Sequence, residues 1–146
     1  MHSAYEYIRG VFGSLSITNM LLLASFFLRM LFGRHLISGA DQSAILYGAA
    51  LTGLLLYPSA MGFLPIDAYR LGYRPLVLLL LLLVLAISMW VLKYRTVSVF
   101  IVIDVIAFNL HALESCNLWD YLIDPFVTLY ALVWTTYGLM KTGMFR

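Results

Sequence analysis

Residues 75–92 read PLVLLLLLLVLAISMWVL, eighteen positions without a charge and nine of them leucine, bracketed by Arg74 and Lys93. A helix that is apolar all round has no face to give to water, so this run reads as a helix wrapped by protein or lipid. At 1.5 Å of rise per residue it covers about 27 Å, close to the hydrocarbon thickness of a bilayer. The remaining sequence is therefore read against a membrane.

Composition agrees. Hydrophobic residues make up 63% of the 146, charged residues 11%, and mean hydropathy is +0.94. Soluble domains and disordered chains both carry far more charge. The length suits four or five helices with short loops in one domain. A net charge of +2 without an extended basic stretch excludes nucleic acid as the expected partner. A single cysteine, Cys116, excludes an intramolecular disulfide and any multi-cysteine metal centre. The first apolar run lacks a strongly basic lead and a small-x-small cleavage pattern, so a cleaved signal peptide is not expected.

Apolar intervals predict an all-α, polytopic transmembrane helical bundle of about five spans, with four as the alternative if the last segment lies in the interface. The spans are expected at 10–33, 42–64, 75–92, 96–113 and 122–140, with Asp41 capping the second. Short loops make consecutive helices antiparallel. Five spans put Arg9, Arg70 and Arg74 on one side, and Arg29, Arg34, Lys93, Arg95, Lys141 and Arg146 on the other. The basic bias then predicts an outside amino terminus and a cytoplasmic carboxyl terminus, in a bacterial inner membrane. Within the second span, Pro58 predicts a kink that Gly62 loosens. Ala49 and Gly53 form a small-xxx-small contact for a neighbouring helix of unspecified origin.

Asp104 is the costliest residue in this reading. It lies about 13 Å along its helix from Arg95, near mid-bilayer, where insertion of an aspartate costs roughly 2.5–3.5 kcal/mol. It should face protein or a cavity, with Tyr130, Thr128 or Arg29 as expected partners. Helical spacing puts Asp104, Phe108 and His111 on one face, with Glu114 a turn beyond. That suggests either an ion-responsive polar path to the outer surface or an interhelical hydrogen bond.

Acids gather in HALESCNLWDYLID, residues 111–124. His111, Glu114 and Asp120 are candidate ligands for a divalent metal, without a recognised metal spacing. Asp124-Pro125 carries the signature of a helix start, and Asn117 with Asp120 resembles a capping box. The loop FLPIDAYRLGYR, residues 63–74, offers Arg70 and Arg74 as candidates for gripping an anionic lipid headgroup, or as snorkelling anchors. Meeting the acidic segment, either arginine would pair with Glu114 or Asp120 as a latch.

No Gly-rich phosphate loop, nucleophile elbow or HExxH is present. The expected depths of His2, His35 and His111 do not suit a bis-histidine haem, and two related transporter halves are not visible. No cofactor is expected. The function expected is a small integral-membrane accessory or structural subunit, not an enzyme, packing against lipids, a larger membrane protein or copies of itself. The alternative is a lipid-handling membrane enzyme whose outward-facing site uses Asp104, His111, Glu114 and Asp120. A third reading is an ion- or proton-conducting oligomer centred on Asp104.

Overall fold

A computed structural model describes residues 15–141. Its helices are α1 (Ile17–Phe32), α2 (Gly39–Ala60), α3 (Leu76–Val91), α4 (Arg95–Asn109), the single turn α5 (Trp119–Leu122) and α6 (Pro125–Lys141), with a 3-10 segment at Ala68–Gly72. No strand occurs among the described residues, so the all-helical expectation holds.

Local chemistry places the helix ends. Ser16 caps α1 by accepting from the Asn19 amide. Gly33, at φ +65°, closes the other end by donating to the Arg29 carbonyl, a left-handed cap that glycine adopts without steric penalty. Ser38, not Asp41, caps α2. Its Oγ accepts from the Asp41 amide at 3.0 Å and donates to the Asp41 carboxylate at 2.8 Å. Asp41 is itself buried and accepts from Thr96 Oγ1 at 3.0 Å, joining the starts of α2 and α4. Pro58 falls in the last turn of α2, two residues before the helix ends, and Gly62 lies beyond it at φ +81°. The pair therefore belongs to helix termination rather than to a kink in mid-span.

The predicted spans are trimmed by these ends. The part of the first at 10–14 lies outside the described residues. The second runs as Gly39–Ala60, the third as Leu76–Val91 and the fourth stops at Asn109. The stretch 122–140 divides between α5 and α6. At 1.5 Å per residue α1 and α3 are about 24 Å long, α4 about 22 Å and α6 about 26 Å, against a hydrocarbon core of about 30 Å. Only Gly39–Ala60 is, among the described helices, long and apolar enough to cross a membrane. Five full-length spans are thus not supported, because the caps and turns at Gly33, Lys93 and Leu110–His111 stop the helices early.

Two pairings build the core. The turn at Lys93 (φ +69°) brings α4 back against α3, with the Arg95 guanidinium 5.6 Å from the Trp90 ring centroid. Leu78, Leu82 and Ala86 form the buried stripe of α3 in the cluster that includes Ile101, Ala107, Leu118 and Tyr121. Helix α2 pairs with α6 through Leu46, Ala50 and Ala131. A Cβ on Gly53 would overlap Thr128, which identifies the partner of the Ala49/Gly53 surface as α6 of this same chain. Helix α1 packs chiefly on α4 and α5.

An apolar exterior surrounds a core that is apolar along its helices and polar where they meet. Away from its stripe, α3 exposes leucine after leucine, Leu76 at 71% and Leu81 at 59%. The buried set meanwhile includes Asp41, Asp104, Asn117, Asp124 and Asn19. Water would favour the opposite arrangement.

Candidate functional site

The polar groups converge where α1 begins, α4 ends and α6 begins. Asp124 precedes Pro125, and its Oδ1 accepts from the Val127 amide at 2.9 Å, the cap expected of an Asp-Pro start. Its Oδ2 takes the Ser16 amide and hydroxyl, each at 2.8 Å, and Asn19 Nδ2 at 2.9 Å. One carboxylate thus caps α6 and anchors α1, across 108 residues of sequence. Such charge-assisted bonds are stronger than neutral ones.

A second carboxylate ties the loops. Asp120 accepts from the Tyr69 hydroxyl at 2.6 Å and from Ser115 Oγ. Around it, Asn117 Nδ2 donates to the Tyr69 carbonyl, Trp119 Nε1 to the Ala68 carbonyl, and the Leu118 amide to the Gly72 carbonyl. Gly72 has no room for a side chain, because a Cβ would collide with the Asn117 amide. Burial raises the Tyr69 phenol above its ordinary value, and the bond to Asp120 and its negative charge raise it further. The 63–74 loop and the acidic segment do meet, but through Tyr69 rather than Arg70 or Arg74, whose side chains are exposed. Nor is Asn117 half of a capping box. Its Oδ1 accepts from the Trp119 amide in a tight local turn.

Asp104 is 1% exposed and faces α1, accepting from Thr18 Oγ1 at 2.7 Å. None of the expected partners is the observed one. Thr128 bonds the Asp124 carbonyl, while Tyr130 and Arg29 line a separate cleft. Asp104 Oδ1 has no hydrogen-bond partner among the described residues. The face expected to link Asp104, Phe108 and His111 is interrupted. Phe108 packs edge-to-face on Tyr121 at 5.3 Å, and His111 lies past the helix end at φ +52°, exposed, with Nδ1 3.2 Å from the Asn109 carbonyl.

Glu114 is exposed on the connection between α4 and α5, so Asp104, His111, Glu114 and Asp120 are not drawn into one constellation. Among the described residues no three His, Cys, Asp or Glu side chains converge as metal ligands would. Asp120 and Asp124 instead flank a crevice of about 370 Å³ that Tyr57 and Tyr69 also line. Ser16, Thr18 and Asn19 were missed by the sequence reading. Their signal was the group of polar residues at the start of an otherwise apolar run.

The chain matches no family model, no curated protein and no solved structure, so the case for its function rests on its own residues.

Proposed function

We propose that this chain is a small integral-membrane structural or accessory subunit, the five longer helices among its described residues forming a thin polytopic bundle in a bacterial inner membrane. The observation that carries the reading is the apolar exterior around buried carboxylates: Asp104 and Asp124 turn inward onto α1, while the outward faces of α1 and α3 are apolar. In lipid, buried polar groups act as helix–helix glue and apolar faces meet acyl chains or partner helices. Helices shorter than the average bilayer core are accommodated by local thinning or by association with other helices. The carboxylates at the α1–α6 junction are engaged in holding the fold, which favours a scaffold over a reaction centre. The basic end, with Arg29, Arg34, Lys93, Arg95 and Lys141, is assigned to the cytoplasm.

Membrane fractionation with alkaline carbonate washing tests the location, and native mass measurement after gentle extraction tests the role. The chain should stay with the membrane and leave it in a stoichiometric complex or homo-oligomer. Release by carbonate overturns the membrane reading, and a lone monomer overturns the subunit reading. A reporter fused after Arg146 should read cytoplasmic; an external signal inverts the topology.

A further inference from the structure

A cleft of about 780 Å³ lies between α1 on one side and α2 and α6 on the other. Leu23 and Phe26 wall it from α1, Leu46 from α2, and Phe126 and Val127 from α6. Arg29, His35 and Gln42 sit together at the end where α1 finishes and α2 starts. Among the described residues the lining includes no carboxylate. A cationic mouth therefore opens onto an apolar slot. Along α1 the slot runs for about 15 Å from Arg29 back to Asn19, and Leu15 extends it past the helix start, in the direction an acyl chain would take.

We propose that the cleft binds an anionic phospholipid, with one acyl chain along α1 and its phosphate held by Arg29, supported by His35 and Gln42. Charge complementarity selects this occupant. Arginine offers a fork of donors matched to phosphate oxygens, and basic pockets between membrane helices take anionic headgroups. A neutral lipid leaves the guanidinium without a counter-charge, and a helix from a second copy supplies no phosphate. The inference rests on the membrane reading, but it assigns a site, a ligand class and an orientation which that reading does not.

The test uses the full chain in mild detergent, titrated with phosphatidylglycerol or phosphatidylcholine of identical acyl chains and followed by native mass spectrometry. One phosphatidylglycerol per chain should be retained, roughly fivefold or more in preference to phosphatidylcholine. Arg29→Gln should remove the preference and Arg29→Lys should keep most of it. Ser25→Trp, which puts an indole into the cleft one turn from Arg29, should weaken both lipids. Circular dichroism and a thermal transition matching the parent establish that each variant is folded. If Ser25→Trp does not fold, the Arg29 pair decides alone. Equal retention of the two lipids, or an unchanged preference in Arg29→Gln, overturns the site. Glycerol phosphate binding as well as the intact lipid would show a phosphate site without a chain groove, and displacement of lipid by a second copy would show a dimer interface; either overturns the proposal. Failure of the membrane reading shows separately, as a chain that stays in solution without detergent.

Discussion

Helix α1 is held at one end and loose at the other. At its start, Ser16, Thr18 and Asn19 are buried and bonded to Asp124 or Asp104. Towards its end, Phe27, Met30 and Leu31 are exposed, Met30 at 73%. Both halves belong to one apolar helix, so hydrophobicity does not distinguish them. The difference is that three small polar side chains find carboxylates at the first turn, whereas the last turns project only apolar groups and Arg29. In the proposed membrane setting directional bonds fix helix positions, while apolar contact with lipid or with protein is nearly interchangeable.

Breaking the tied end should have the largest effect. Asp124→Ala removes the cap of α6 and the acceptor for the Ser16 amide, the Ser16 hydroxyl and the Asn19 side chain, at a cost of about 3 kcal/mol or more. Phe27→Ala at the loose end should cost under about 0.5 kcal/mol, although it deletes a larger side chain. Thermal unfolding of the two variants in the same detergent makes the comparison, and equal losses would refute it.

Next in size is the close approach of α2 and α6. Gly53→Ala forces a methyl into Thr128 and should cost about 1–3 kcal/mol. Adding Thr128→Ala should recover part of that. A double variant no more stable than Gly53→Ala would place the damage elsewhere.

Thr18→Ala should be milder, about 0.6 kcal/mol and at most about 1.7, the range of interhelical hydrogen bonds in membranes. Its effect should shrink when Asp104 is already replaced by leucine. A full effect in the Asp104→Leu background would show that the bond contributes nothing.

The smallest effect concerns pH. The folded chain holds the Tyr69 proton more tightly than the unfolded chain. This contribution is complete below the ordinary tyrosine value of about 10 and is lost as pH rises above it. Tyr69→Phe should lower the melting temperature at neutral pH and flatten its alkaline decline. A decline as steep as the parent's would assign the alkaline sensitivity to other groups.

Much of the helical plan was legible in the sequence. The leucine run gives α3, and the Asp124-Pro125 pair gives the start of α6, because a cap needs only neighbouring residues. Gly53 announced a close helix contact, though not its partner. The carboxylate partners were harder to read. Asp104 was expected to meet Tyr130, Thr128 or Arg29 and instead meets Thr18, 86 positions away. Tyr69, rather than the arginines beside it, links the loop to Asp120. In both cases the choice depends on which way a helix or loop is turned, and residue types alone do not encode that rotation.

Hydrophobic composition and local capping chemistry together determined an apolar, all-helical chain with polar residues too costly to leave unpartnered. Both act over a few residues and need no knowledge of the fold. Tertiary structure decided that Asp124 would anchor α1 as well as cap α6, that Gly53 would receive α6 of the same chain, and that α1 would leave a cleft beside Arg29. These depend on the rotation and crossing of helices whose contacts span up to 108 residues of sequence, and only the packed molecule specifies them.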